Sequence, residues 1–215
     1  MNFLEPGRRV VLNLFKNIQR YLGFAPPEPL SSLDLLISYT EKQAAFVSQV
    51  SLYTYIKTRA GTQYPKLFEN ETYLVSMKMA RWHIFGAAVA DLAIFYGALM
   101  VVQNKATPGQ AKSVAEQIIT AILSDYDQDD IDAAEFDAMI TRGRARCEVA
   151  AWETLAEGAN AFQSSADALI RWAPIADELK KQDEEIVRNS IHMRWIGIRR
   201  EIKEILVPEA ILTGL

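Results

Sequence analysis

Apolar residues recur every three or four positions along most of this chain, which is the spacing of one side of an α-helix. No stretch of useful length alternates apolar and polar residues as a half-buried strand does, and no internal repeat is present. The pattern therefore predicts an all-α protein. The predicted helices cover residues 8–22, 31–59, 69–102, 108–126, 175–206 and a long segment from the Asp-rich region 125–132 to 172.

Residues with known helix-end preferences support several of these boundaries. Ser31 or Ser32 can cap the second helix, because a serine hydroxyl accepts a hydrogen bond from a free N–H of the first turn. Thr107 can cap the fourth helix, and Pro108 suits its first position. Pro174 should break or kink the helix that precedes it.

The least polar segment runs from Ile84 to Val102 and contains one charged residue, Asp91. A helix that is apolar on all sides is buried in a protein core or in a bilayer. Aspartate at a helix centre costs about 2.5–3.5 kcal/mol on insertion, which nearly cancels the gain of about 0.3–0.6 kcal/mol from each large apolar residue. We therefore expect the central helix of a bundle, with a single membrane span as the alternative.

Small residues form a stripe on this central helix and should let another helix approach closely. They are Gly86, Ala90, Ala93 and Gly97. Asp91 needs a partner, since an unpaired buried carboxylate is too costly. It is either a paired core residue or part of a polar pocket.

The domain organisation follows from the position of the prolines. Residues 1–24 are predicted to form a basic amphipathic helix, residues 25–30 a Pro-rich spacer and residues 31–206 one bundle of about five long helices around the central one. Residues 207–215 form a C-terminal tail, because Pro208 should end the last helix.

The formal net charge of −4 hides a basic leader, since residues 1–24 carry a balance of +3. No nucleic-acid partner is expected from the overall charge. A basic amphipathic helix can lie on an anionic membrane or in the groove of a partner protein, or it can pack on its own domain. The interaction candidates in this segment are Arg8, Arg9, Phe15 and Lys16.

The last helix carries a second candidate surface. Ile191, Trp195, Ile198, Ile202 and Ile205 are spaced by four, three, four and three residues, which is a heptad seam. This seam either docks on the same chain or pairs with another molecule, and Trp195, Ile198 and Ile202 are its interaction candidates.

Catalytic and metal-binding motifs are absent from the sequence. It contains no Gly-x-Ser-x-Gly, no phosphate-binding glycine loop and no Glu-x-x-His pair. One cysteine and two distant histidines do not suit a zinc site, and the Asp-rich segment lacks the glycine and the final glutamate of a calcium loop. No cofactor or metal is expected. Arg142, Arg144 and Arg146 should fan out over a solvated surface.

These observations favour a non-enzymatic helical adaptor, assembly factor or subunit, with a protein partner or self-association. A single cysteine and the lack of a secretory signal suit the cytoplasm, with docking at the inner membrane surface as an option. The alternative is a protein with a pocket between helices, containing Asp91 and His83, that binds or hydrolyses a small apolar or lipid-like ligand.

Overall fold

A computed structural model describes residues 28–125 and 131–214 of the chain. Within these residues the protein is an all-α bundle without strands, as predicted. Five long helices form the bundle, namely α1 (Leu33–Ala60), α3 (Glu71–Val102), α4 (Pro108–Ser124), α5 (Ala133–Glu148) and α7 (Asp177–Ile205). Three short helices connect or follow them, namely α2 (Tyr64–Leu67), α6 (Gln163–Trp172) and α8 (Pro208–Thr213).

Helix α3 lies at the centre of the bundle and contacts α1, α4, α5 and α6. By length and composition it is the one described helix that could cross a membrane, a test that the core helix of a bundle also passes. Its most apolar window is 89% buried inside the chain itself. This burial agrees with the prediction of a central bundle helix.

The small residues of α3 allow close helix packing at two positions. A Cβ atom added to Gly97 would lie 2.6 Å from the Trp152 ring and 3.0 Å from the Ala111 carbonyl oxygen. A Cβ atom at Gly86 would lie 2.6 Å from the sulfur of Met139. The stripe therefore contacts α4 near one end and α5 near the other.

The predicted caps are present. The Ser32 hydroxyl accepts a hydrogen bond from the backbone N–H of Leu35 (3.3 Å), at the start of α1. Thr107 and Gln110 form a reciprocal capping box at the start of α4, with Pro108 at the first position.

The prediction of one helix from the Asp-rich region to Trp172 is wrong. Helix α5 ends at Glu148, and the chain then follows an irregular path to Ala159 before a 3₁₀ turn leads into α6. The break buries Trp152 beside Gly97, and Gly158 adopts a left-handed conformation with φ of 49°. Tertiary packing of a large aromatic ring therefore outweighs the helical propensity of this segment.

Both ends of the described chain meet at the end of α7. The Leu30 N–H donates to the Ile205 carbonyl (2.8 Å), and the Val207 N–H donates to the Leu30 carbonyl (3.0 Å). Pro208 ends α7 as expected but also opens α8, which buries Ile211. Most of the predicted tail is therefore a short helix packed on the body.

Candidate functional site

Asp91 lies in the middle of α3 and is fully buried. Its Oδ2 accepts a hydrogen bond from the backbone N–H of Ser165 (2.8 Å), at the start of α6. Its Oδ1 lies 2.8 Å from Nη2 of Arg146 on α5, an ion pair by distance although the N–H is not aligned for a hydrogen bond. The carboxylate is thus compensated by two neighbouring helices.

Burial and pairing act on Asp91 in opposite directions. Loss of water raises the pKa of this carboxyl group, whereas the Arg146 charge and the hydrogen bonds from Ser165 lower it. The net effect is a raised pKa, so the partners only partly offset the cost of burying the charge.

Ser165 links this ion pair to α7. Its hydroxyl oxygen accepts a hydrogen bond from Nε1 of the buried Trp195 (3.1 Å). The Trp195 ring also packs on Phe162, with centroids 4.7 Å apart. Asp91, Ser165 and Trp195 therefore fix the relative positions of α3, α6 and α7.

Arg146 extends from the ion pair to the surface. Its Nη2 also donates to the Ala161 carbonyl (3.3 Å), and its side chain is 30% exposed. Its Nη1 is buried without a hydrogen-bond partner among the described residues. Both N–H groups of Nη1 are thus without an acceptor among the described residues.

A cleft of about 230 Å³ opens in front of Arg146, between α3, α5 and α6. Three arginines line it: Arg142, Arg146 and Arg171. Much of the remaining wall is small or apolar, formed by Gly86, Ala87, Ala90, Met139, Gly143 and Ala168. Asp91 is not on the wall but lies behind Arg146.

His83 forms one end of the cleft. Its ring stacks on Trp172, with centroids 3.5 Å apart and planes 11° apart. Its Nε2 is buried without a hydrogen bond among the described residues, and Oε2 of Glu135 lies 3.5 Å away, beyond good hydrogen-bonding distance. His83 and Asp91 thus face the same region of the bundle but have separate partners, so they do not form a dyad.

The cleft environment favours the neutral form of His83. Burial, together with the positive charges of Arg142 and Arg171, lowers the pKa of the imidazole to about 4. His83 is therefore neutral near pH 7.

The arginines of α5 differ from the sequence expectation of a fan over the surface. Arg144 does point away from the cleft, where its guanidinium donates to the Thr120 hydroxyl (2.9 Å). Arg142 and Arg146, however, are four positions apart and share one face of the helix, which lines the cleft. The i, i+4 spacing of Arg142 and Arg146 could have predicted this shared face. The alternation of the three arginines instead suggested that they point in different directions.

The predicted seam of α7 lies inside the bundle. Trp195, Ile198 and Ile202 are all buried by the same chain. The opposite face of α7 is exposed and also carries apolar side chains, namely Leu179, Ile186, Met193 and Ile196. The interaction candidates Arg8, Arg9, Phe15 and Lys16 lie outside the described residues.

Among the described residues, no group of three or more histidine, cysteine, aspartate or glutamate side chains is placed to hold a metal ion. The comparisons identify no relative, since no family model, curated protein or solved structure matches the chain.

Proposed function

We propose that this protein binds a small molecule in the cleft between α3, α5 and α6. The observation that carries the proposal is that His83, whose buried Nε2 has no hydrogen-bond partner among the described residues, lines this cleft together with three arginines. A buried polar atom without a partner costs about 1–3 kcal/mol. A ligand that bonds to this nitrogen would offset that cost.

The walls of the cleft suit a preorganised site. His83 is held by the Trp172 ring, and Arg146 is held by Asp91 and the Ala161 carbonyl. Side chains fixed in this way lose little freedom when a ligand binds. The volume is below the roughly 300–1,000 Å³ typical of drug-sized ligands, so the ligand should be compact.

Ligand-detected NMR on the full chain tests this proposal with a panel of acidic, neutral and basic fragments. We expect at least one class to bind wild type and to lose about tenfold or more in affinity in Ala87→Phe, which places a ring in the cleft. Ala145→Phe is the matched control, because Ala145 is exposed on α5 and does not line the cleft. Binding that is unchanged in Ala87→Phe, or no binding by any class, would show that the cleft is not a ligand site.

The exposed face of α7 supports a second candidate function, that of a helical subunit or adaptor. On a helical projection Ile186, Met193 and Ile196 lie about 140–220° from the buried Ile191. Ile186 is 72% exposed and Met193 is 70% exposed. A helix with apolar residues on both faces buries one face in its own domain and offers the other to a partner.

We propose that a second copy of the chain, in antiparallel orientation, is that partner. Glu178 and Glu185 lie on this face toward the start of α7, whereas Arg200 and Lys203, together with Glu204, lie toward its end. An antiparallel copy brings the acidic half of one helix against the more basic half of the other.

Membrane docking by residues 1–24 is a proposal from the sequence alone, because these residues lie outside the described part of the chain. Flotation of the full chain and of a chain lacking residues 1–24 with anionic liposomes tests it. Equal partition of the two chains would end this proposal.

A further inference from the structure

The charges around the cleft are unequally compensated. Asp167, on the cleft wall, is paired with Arg188 (2.6 Å), and Arg146 is paired with Asp91. Among the described residues, no carboxylate pairs with the guanidinium group of Arg142 or Arg171. Both groups nevertheless lie close enough to His83 to lower its pKa. The cleft therefore contains two guanidinium groups without a counter-charge from the described chain.

Arg146 lines the same cleft and adds a third guanidinium group to it. Its contacts with Asp91 and the Ala161 carbonyl use Nη2, and Nη1 has no hydrogen-bond partner within the described part of the chain. A guanidinium group held in this way presents a donor at a fixed position, and guanidinium groups bind carboxylate and phosphate oxygens better than other acceptors.

The remainder of the cleft suits an apolar body. Two glycines, three alanines and Met139 form much of the wall, and the stacked residues His83 and Trp172 also line it. A neutral imidazole can donate a hydrogen bond to a ligand or accept one from it, and it adds no charge to the cleft. The polar groups thus occupy part of the cleft and leave the rest apolar.

We infer that the ligand of this cleft is a compact acid, with an oxyanion bound by Arg142, Arg146 and Arg171 and an apolar body against the small residues of α3 and α5. This inference rests on the proposed function. It replaces the apolar or lipid-like ligand of the alternative interpretation with an anionic one, because the sequence alone did not reveal that three arginines line one cleft.

A matched set of probes tests the inference on the full chain. Benzoate carries a carboxylate on a planar apolar ring, phenyl phosphate carries a phosphate on the same ring, and benzamide is the neutral analogue of benzoate. We expect benzoate or phenyl phosphate to bind at least tenfold more tightly than benzamide, and the difference to shrink as salt rises. The better of the two acids identifies the oxyanion.

The double variant Arg142→Gln/Arg171→Gln should lose about tenfold or more in affinity for the acid and little for benzamide. Arg144→Gln/Lys66→Gln removes the same charge at exposed positions away from the cleft and is the control. Equal binding of acid and amide, or equal loss in both double variants, would overturn the inference. Benzamide binding that Ala87→Phe removes would then leave the proposed function standing.

The pKa of His83, followed by NMR of its ring, gives an independent readout. The double variant at Arg142 and Arg171 should raise this pKa from about 4 toward 6.5, because it removes two nearby positive charges. Saturating acid should raise it as well, whereas the nearby Glu135 carboxylate is the same in all samples. An acid that binds without changing this pKa occupies another site, and the inference would be wrong.

Discussion

Asp91 shows what a carboxylate needs at the centre of an apolar helix. One oxygen accepts a backbone N–H from Ser165, and the other lies beside the guanidinium group of Arg146. Removing one partner of such a pair is usually far more destabilising than replacing both with apolar groups. Asp91 therefore positions Arg146 and α6 but does not itself line the cleft.

Substitution of Asp91 separates the hydrogen bond from the charge. Asp91→Leu removes the acceptor for the Ser165 N–H and the partner of Arg146, so we expect a loss of about 2–4 kcal/mol in the free energy of unfolding. Asp91→Asn keeps an acceptor oxygen and should cost about half as much or less. Urea denaturation of both variants measures the difference, and an equal cost would show that the hydrogen bond contributes little.

The difference in stability between wild type and Asp91→Asn should depend on pH. Because the folded pKa of Asp91 is raised above its ordinary value of 3.8, the folded state holds this proton more tightly than the unfolded state. The contribution of Asp91 to stability therefore falls as pH rises from about 3.8 through the folded pKa. The stability advantage of wild type over Asp91→Asn should narrow as pH rises above about 3.8. A gap that widens would mean that Arg146 outweighs the cost of burial.

At the level of helices, local chemistry made most of the bundle predictable. The three-to-four spacing of apolar residues located α1, α3, α4 and α7, and Ser32 and Thr107 located two of their starts. The break after Glu148 was not predictable, because the segment that follows contains no proline and no glycine before Gly158. Its irregular path depends on the Trp152 ring finding space beside Gly97, which is a tertiary contact.

The candidate site was predictable only in part for a similar reason. Asp91 and His83 stand out as polar residues in an apolar helix, and both lie in or beside the site region. The cleft itself depends on which faces of α3, α5 and α6 converge, and no local pattern encodes that convergence. Arg171, on a third helix, could not be connected with Arg142 from spacing along the chain.

Close packing at Gly97 leads to a prediction for α3 and α4. Gly97→Ala places a methyl group against the Ala111 carbonyl and the Trp152 ring, so the two helices must separate. We expect a loss of about 1–3 kcal/mol in the free energy of unfolding. Gly197→Ala is the matched control, since nothing lies within 4 Å of its added Cβ atom and alanine favours a helix over glycine by about 0.5–1 kcal/mol. If denaturation shows that both variants are less stable than wild type, or that both are more stable, the close packing at Gly97 would be contradicted.

For the whole molecule, the two faces of α7 have different surroundings, one buried in the core and the other exposed. The inner face joins the core through Trp195, which is tied by Ser165 to the Asp91 ion pair. The outer face carries Leu179, Ile186 and Met193 at intervals of seven residues. This interval keeps apolar side chains in register along a partner helix. The proposed dimer surface on α7 is therefore separate from the proposed ligand cleft, which no residue of α7 lines.

An antiparallel dimer through this outer face should be measurable by sedimentation velocity of the full chain. We expect a dissociation constant at or below about 10 µM, which corresponds to about 7 kcal/mol. Ile186→Glu/Met193→Glu should convert the dimer to a monomer without unfolding it, because both side chains are largely exposed. Val75→Glu/Val149→Glu is the control, since it adds the same charge at exposed apolar positions outside α7.

A charge reversal on α7 tests the orientation of the two helices in the dimer. Glu178→Lys/Glu185→Lys gives both halves of the outer face basic groups, so it should weaken an antiparallel dimer by about tenfold at low salt and less at high salt. In a parallel dimer the same glutamates would face each other. The variant would then replace repulsion between glutamates with repulsion between lysines, and the dissociation constant would change little. A monomer at all concentrations, or a dimer that is insensitive to Ile186 and Met193, would mean that this face binds a different partner or none.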